Sequence, residues 1–235
     1  MPASARQTID RLRHIAVACT QQHHRELVEH LRPHVPEGGT VIDVGAHAGQ
    51  FSKLFSDLVG RSGAVHAFEP SGYTRSILKI AVRVTGRRNV VVHPQALSDH
   101  CGTLTLHTPI KTSGLRGYGL ASLNGVGIQA SGEVAESVEV LTLDRFWDQG
   151  QMHIDFVKVD IEGWEGHFLR GAEQVLAKDR PALFLEIDQP MLAWAGEDAG
   201  RIFQRLSALG YTACKAGDWR AITAYDGPGN YLFHV

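Results

Sequence analysis

The sequence predicts an α/β fold: a doubly wound, mostly parallel sheet with a helical appendage at its N-terminus. Three observations lead to this prediction. Short apolar and β-branched runs alternate with segments of helical periodicity over most of the 235 residues. A glycine turn, Gly45 to Gly49, follows the first of these runs. Four of the runs end in acids, and ligands of parallel sheets bind at the carboxyl ends of strands: Asp43, Glu69, Asp160 and Glu186.

The first element is a helical segment that ends at about Leu31. Its apolar residues recur at spacings of three and four, as on one face of a helix: Ile9, Leu12, Ile15, Ala16 and Cys19. Pro33 and Pro36 then interrupt the helical pattern. We therefore predict a helical appendage over residues 1–36 and a main domain over residues 37–235, which is long enough to bury a full core.

Beyond Gly38 the predicted elements alternate, which indicates parallel strands with helices on both faces of the sheet. The predicted strands cover residues 40–45, 64–69, 89–93, 102–106, 154–160, 181–187, 211–215 and 230–235. The predicted helices cover residues 49–59, 71–84, 164–177 and 198–209.

The segment from Pro109 to Glu133 interrupts this alternation. It contains seven glycines or prolines and few large apolar residues. Long loops inside a compact domain are usually functional or disordered. We interpret the segment as a mobile cover over the site where an acceptor substrate would bind. A plain surface insertion is the alternative.

The first strand and its glycine turn form a pattern typical of a nucleotide-type cofactor site. Glycines allow a ligand to approach the backbone closely, and the helix that follows offers free N–H donors. The dinucleotide pattern G-x-G-x-x-G would need glycines at His47 and Gln50. The carboxylate of Asp43 would repel a pyrophosphate but suits an ammonium and a sulfonium. The turn therefore favours S-adenosylmethionine over NAD, and an ordinary strand-to-helix turn is the plain alternative.

The second strand ends in Glu69 and Pro70, about 20 residues beyond the glycine turn. A carboxylate at this spacing is where a ribose-binding acid is expected, because its two oxygens match two adjacent hydroxyls. Proline lacks the N–H that would continue the ladder. Glu69 is therefore the predicted ribose ligand, and a solvated strand end is the alternative.

Composition limits the partners. The net charge is −2, so the chain lacks the basic field that dominates nucleic-acid affinity. Cys19, Cys101 and Cys214 are odd in number and show no C-x-x-C spacing, which fits a reducing compartment. No uninterrupted apolar run approaches the ~20 residues that span a bilayer. We expect a cytoplasmic protein that acts on a small molecule without nucleic acid or membrane, and self-association into a homo-oligomer is left open.

A third block, Phe156 to Glu165 followed by Leu169 to Ala172, makes a family recognisable. Together with Val41 to Phe51, Ala67 to Pro70, Gln95 to Asp99 and Leu141 to Asp144, it resembles the FkbM-type S-adenosylmethionine-dependent methyltransferases over about residues 38–188. The resemblance implies the seven-stranded methyltransferase sheet. It also implies O-methylation of a hydroxyl on a sugar, a glycoside or a polyketide-type secondary metabolite.

The resemblance implies a role for each matching residue. The methionine part would lie against Asp43, Gly45 and Gly49, the ribose against Glu69, and the adenine amine against Ser98 and Asp99. The full predicted cofactor set is Asp43, Gly45, His47, Gly49, Phe51, Glu69, Pro70, Ser98, Asp99 and Asp160.

Methyl transfer to a hydroxyl requires the acceptor oxygen to be held about 3 Å from the methyl carbon. A sugar hydroxyl is a weak acid, so a base or a metal must help to remove its proton. The predicted catalytic residues are Asp160 as the first candidate for the base, His167 as the second, and Glu162. The alternative is a Mg²⁺ site formed by Asp160, Glu162 and either Glu186 or Asp188. Glu162 would otherwise only favour the start of a helix.

Two further classes of function stay open at this stage. A cofactor-binding interaction protein would keep Asp43 and Glu69 but lack an acceptor pocket. An NAD-dependent oxidoreductase is the less favoured class, because residues 47 and 50 are not glycine.

Overall fold

The fold is that of a computed structural model, which describes residues 3–110, 123, 132–147 and 153–235. Its strands are β1 (Thr40–Val44), β2 (Ala64–Phe68), β3 (Val90–His93), β4 (Ala96–Leu97), β5 (Gly102–Ile110), β6 (Gly132–Leu141), β7 (Phe156–Val159), β8 (Ala182–Ile187), β9 (Thr212–Lys215), β10 (Ala221–Ile222) and β11 (Gly229–His234). Its α-helices are α1 (Ala3–Thr20), α2 (Val28–Leu31), α3 (Gln50–Val59), α4 (Gly72–Val84), α5 (Leu143–Trp147), α6 (Glu165–Arg170), α7 (Glu173–Lys178), α8 (Gln189–Trp194) and α9 (Ala199–Ala208).

Eight strands form the main sheet, in the order β10-β9-β11-β8-β7-β1-β2-β3. The five strands from β8 to β3 pair in parallel, whereas β11, β9 and β10 pair antiparallel. The predicted doubly wound, mostly parallel fold class is confirmed. The strand number differs from the implied seven because the two-residue strand β10 extends the edge of the sheet.

Both faces of the central strands are buried, as the near-continuous apolar runs predict. On β1, Val41 packs in a cluster with α3, while Ile42 and Val44 pack on the opposite face with α6, α7 and α9. This alternation follows from the two-residue period of a strand. The helices thus enclose the sheet and leave its carboxyl edge available for a site.

Three further strands form a second sheet, in the order β4-β6-β5. β5 extends to Ile110, four residues beyond the predicted strand, and pairs antiparallel with β6 along its whole length. β6 lies outside the predicted strands. Acidic residues on its exposed face, among them Glu133 and Glu139, weaken its apolar signal, and only Val138 and Val140 are fully buried.

The helical segment predicted over residues 164–177 is two helices, α6 and α7, with a break at Gly171. A Cβ at Gly171 would lie 1.9 Å from the carbonyl oxygen of Ser98. The glycine therefore allows α6 to approach the chain segment after β4 closely.

The N-terminal helix α1 packs on α4 through a small apolar cluster that includes Ala18, Ile77 and Ala81. Its C-terminal end is held by Lys53, whose Nζ donates to the carbonyl oxygens of Ala18 at 2.6 Å and Gln21 at 2.8 Å. A cation at a helix C-terminus also complements the helix dipole. The domain boundary at residue 36 stays a prediction. Within the described residues, no helix has the length and apolar character to cross a bilayer.

Candidate functional site

A cavity of about 370 Å³ opens at the carboxyl ends of β1, β2 and β7. This volume falls in the range of small-molecule sites, ~300–1,000 Å³. The predicted site residues in its wall are Gly45, His47, Phe51, Glu69, Pro70, Asp160, Glu162 and Glu186. The predicted residues outside its wall are Asp43, Gly49, Ser98, Asp99, His167 and Asp188.

The glycine turn shapes one side of the cavity. Gly45 has φ +73°, and its N–H donates to the carbonyl oxygen of Phe68 at 3.1 Å. A Cβ at Gly45 would lie 2.0 Å from the carbonyl oxygen of Asp160. Gly49 is the N-cap of α3 with φ +87°, and a Cβ there would lie 2.4 Å from a side-chain carbon of Leu78. Gly45 thus borders the cavity directly, while Gly49 allows α3 to pack behind it.

The Glu69 carboxylate is fixed by backbone donors at the end of β2. Its Oε2 accepts from His47 N at 2.8 Å, and its Oε1 accepts from Ser71 N at 2.9 Å. Burial raises the pKa of Glu69 to about 7, although both backbone hydrogen bonds act in the opposite direction. Each oxygen keeps a second lone pair. The carboxylate is therefore held in one orientation in the cavity wall, with a lone pair left on each oxygen.

Asp43 is fully buried behind the cavity wall. Its Oδ2 accepts from Ser52 Oγ at 2.5 Å, and its Oδ1 lies 3.6 Å from Lys158 Nζ. Burial raises the pKa of Asp43 and the neighbouring Lys158 opposes that shift. Asp43 therefore supports Lys158 from behind the wall, and its predicted contact with the methionine part stays a prediction.

Lys158 is a residue of the cavity wall that the sequence analysis missed. Its Nζ lies 3.3 Å from Asp160 Oδ2 and donates to the carbonyl oxygen of Gly45 at 3.0 Å. Burial alone lowers the pKa of Lys158, but the charges of Asp160 and Asp43 outweigh it and raise the pKa. A signal was present in the sequence, because a lysine inside the buried run Phe156–Val159 needs a charged partner.

Three acids line the cavity near Lys158: Asp160, Glu162 and Glu186. Burial raises the pKa of Asp160, but Lys158 and a hydrogen bond from Glu186 reverse this and leave the pKa low. That hydrogen bond and burial raise the pKa of Glu186 to about 8, so Glu186 carries the shared proton at neutral pH. Glu186 is exposed to solvent, so we attribute its shift first to the hydrogen bond.

Glu162 stands in a strained loop between β7 and α6. Its φ is +54°, a left-handed conformation that is uncommon outside glycine. Glu165 holds the loop, because its Oε1 accepts from Ile161 N at 3.1 Å and from Gly163 N at 3.3 Å. Burial, followed by the charges of Asp160 and Asp188, raises the pKa of Glu162 to about 7. Strained residues of this kind cluster at functional sites.

The described residues contain no group of three or more His, Cys, Asp or Glu side chains that could hold a metal ion. Asp160, Glu162 and Glu186 share the cavity, but Asp160 is already bonded to Lys158 and Glu186. The magnesium alternative stays a prediction.

Ser98 and Asp99 belong to a separate polar network. Ser98 Oγ accepts from Trp164 Nε1 at 2.9 Å, and Asp99 Oδ2 bonds His167 Nδ1 at 2.9 Å and Arg170 Nη2 at 3.1 Å. The His167 ring stacks on Trp164 with centroids 3.9 Å apart. These contacts fasten α6 to the segment after β4. The structure therefore does not bring Ser98, Asp99 or His167 to the cavity.

The residues just before Ser98 line the cavity instead. Gln95, Ala96 and Leu97 form one wall with Leu106 of β5 and with Leu123. The small sheet thus supplies a mostly apolar surface. Of the predicted cover, residues 111–122 and 124–131 lie outside the described residues.

The family profile of the methyltransferase FkbM domain matches residues 43–213. The chain belongs to the FkbM methyltransferase family. It is therefore a methyltransferase whose cofactor is S-adenosylmethionine. This family membership excludes the alternative of an NAD-dependent oxidoreductase. A comparison with curated protein sequences finds no significant match.

Solved structures show the same fold at low sequence identity. The FkbM methyltransferase of Methylobacillus flagellatus KT superposes with a TM-score of 0.51 at 12% identity, over 97% of this chain and 60% of that one. The O-methyltransferase of Bacillus cereus, solved in complex with SAH, gives 0.53 at 12% identity, over 95% and 87%. A putative rRNA methylase of Clostridium thermocellum gives 0.54 at 8% identity, over 91% and 96%. The chain thus spans three fifths of the Methylobacillus protein's length.

Proposed function

We propose that this FkbM methyltransferase transfers a methyl group to a hydroxyl of a small molecule: a sugar, a glycoside or a polyketide-type metabolite. The observation that carries the proposal is the group of acids beside Lys158 in the cavity wall. Carboxylates accept hydrogen bonds from hydroxyls and can take up their proton. The net charge of −2 supports a small molecule over a nucleic acid as the acceptor.

The cavity fits the cofactor in three respects. Gly45 lets the Asp160 backbone pack closely at the cavity edge, and the fixed carboxylate of Glu69 matches the two ribose hydroxyls. The apolar wall formed by Ala96, Leu97 and Leu106 suits the adenine ring, in place of Ser98 and Asp99. When bound, the cofactor supplies a methyl group on a positively charged sulfur, and the neighbouring acids favour that charge.

The acids divide into two proposed roles. Asp160 is held ionised by Lys158, and its low pKa suits it to accept a hydrogen bond and orient the acceptor hydroxyl. Glu162, with a pKa of about 7, is better matched to take the proton at neutral pH. The structure therefore favours Glu162 over Asp160, the first candidate from the sequence, as the base.

Labelled cofactor provides the test. Purified protein is incubated with methyl-labelled S-adenosylmethionine and a small-molecule extract, and products are separated and identified by mass spectrometry. We expect a methyl ether as the product. Labelled protein or RNA, or label on nitrogen, would count against the proposal. Repeating the assay with chelator tests the magnesium alternative, and binding of S-adenosylhomocysteine without any transfer would support a non-catalytic binding protein.

A further inference from the structure

His24 lines the cavity, although it belongs to the N-terminal segment that precedes the main sheet. It lies between α1 and a short 3₁₀ helix, Arg25–Leu27, and its backbone is left-handed with φ 62° and ψ 23°. Its ring stacks on Phe51, with centroids 4.4 Å apart and planes inclined by 12°. Its side chain is 40% exposed and lines the same cavity as the acids. His24 precedes residue 43, where the family match begins.

The backbone around His24 is fastened to the start of α3. Gln22 Nε2 donates to the carbonyl oxygen of Gln50 at 2.9 Å, and His23 N donates to Gln50 Oε1 at 3.1 Å. Lys53, one turn further along α3, holds the end of α1 as described above. The position of His24 is thus set by the helix that the glycine turn opens.

The contacts of Phe51 locate His24 at one end of the cavity. Lys158 Nζ lies 5.1 Å from the Phe51 ring centroid, so the ring on which His24 stacks also borders Lys158. This is the Lys158 end of the cavity, where Asp160 lies 3.3 Å from Lys158. Burial lowers the pKa of His24, so its imidazole is neutral at neutral pH. The charged and titratable groups that face it are Glu26, His23, Lys158 and Asp160.

We propose that His24 is an acceptor-binding residue: the N-terminal segment places its imidazole ring at the Lys158 end of the cavity, beside the acids proposed to act on the acceptor hydroxyl. A neutral imidazole both donates and accepts a hydrogen bond, so it suits a hydroxyl. The proposal rests on the proposed function, because it assigns His24 to the same site.

Histidine NMR with two cofactor forms tests the placement. The ring signals of His24 and His23 are titrated in the protein alone, with S-adenosylhomocysteine, and with S-adenosylmethionine. The two ligands differ by one methyl group and one positive charge on sulfur. We expect the charged form to lower the pKa of His24 by about 0.5 unit or more relative to the neutral form, because a unit charge acts at short range. The ring chemical shifts of His23, which lies outside the cavity wall, should differ little between the two ligands. Equal pKa values of His24 with both bound ligands would overturn the proposal.

Two variants test the role. His24→Asn removes the imidazole and keeps a side chain that tolerates the left-handed backbone, and His23→Gln is the matched control. We expect S-adenosylhomocysteine affinity within about threefold of wild type in both. Transfer of labelled methyl to small molecules of an extract should fall at least about tenfold in His24→Asn alone. Undiminished transfer in His24→Asn would contradict the acceptor-binding role. Failure of the wild-type protein to bind either ligand would instead contradict the proposed function.

Discussion

The buried Lys158 and the partly exposed Asp160 form an ion pair of 3.3 Å at the end of β7. Their spacing of two residues points both side chains in the same direction. The pair keeps Asp160 ionised and places the Lys158 ammonium against the carbonyl oxygen of Gly45. It thereby joins the glycine turn to the acids of the cavity.

Replacing Lys158 with an uncharged residue should lower the free energy of unfolding. In Lys158→Met, the carboxylates of Asp43 and Asp160 lose their shared partner, and breaking a buried pair costs about 3–5 kcal/mol. Urea denaturation measures the loss. Adding Asp43→Asn to Lys158→Met should recover part of the stability, because it removes the fully buried charge. A loss below about 1 kcal/mol, or strictly additive effects, would show that Lys158 is not held by charge.

Gly45 and Gly86 have similar backbone conformations but different surroundings. Their alanine variants therefore distinguish the cost of a steric clash from the cost of a left-handed backbone. Gly45 has φ +73° and Gly86 has φ +75°, but only a Cβ at Gly45 meets other atoms, whereas Gly86 faces open space. Gly86→Ala should cost about 1 kcal/mol and leave S-adenosylhomocysteine binding intact. Gly45→Ala should cost at least about 2 kcal/mol more and abolish binding. Calorimetry and urea denaturation of both variants check this, and similar behaviour of the two would refute the steric account of the turn.

Glu69 should control cofactor affinity. Glu69→Gln keeps the shape but replaces one acceptor oxygen with a donor NH₂, which no longer matches His47 N and Ser71 N together. We expect a loss of about 1.5–3 kcal/mol in S-adenosylhomocysteine binding, measured by calorimetry. Glu173→Gln, on the exposed start of α7, is the control. Unchanged affinity in Glu69→Gln would remove Glu69 from the site.

The outcome at β1 and β2 shows where sequence reasoning succeeds. The predicted strands at 40–45 and 64–69 lie within one residue of the structure, because buried parallel strands carry an uninterrupted apolar signal. Glu69 lies in the cavity wall as predicted, because its distance from the glycine turn is set by one strand-helix-strand unit. Its ribose-binding role stays a prediction.

Side-chain partners at long range were harder to predict. The pairing of Asp43 with Lys158 depends on the register of β1 against β7, which are 115 residues apart in the chain. Ser98 and Asp99 lie outside the cavity wall, because they bond Trp164 and Arg170, which come much later in the chain. Their predicted adenine role stays a prediction. His24 carried no motif, and only the folded arrangement brings it to Phe51.

Cofactor binding should release protons near neutral pH. The pKa values of Glu162 and Glu186 are raised to about 7 and about 8, so both are partly protonated at pH 7. A cation in the cavity favours their ionised forms, and its affinity therefore rises with pH through this range. Calorimetry in buffers of different ionisation enthalpy should show more proton release with S-adenosylmethionine than with S-adenosylhomocysteine. Glu162→Gln should reduce the difference, and equal release by both ligands would contradict the proximity of these acids to the sulfonium.

The central claim is methyl transfer to a hydroxyl with Glu162 taking the proton, and one comparison tests it most directly. Wild type and Glu162→Gln are assayed side by side for transfer of labelled methyl from S-adenosylmethionine to a hydroxylated small molecule, with S-adenosylhomocysteine affinity measured on the same samples. We predict a methyl ether from the wild type and at least about a tenfold lower rate in Glu162→Gln, with affinity within about threefold. Wild-type rates in Glu162→Gln, or a methylated product that is not an ether, would contradict it.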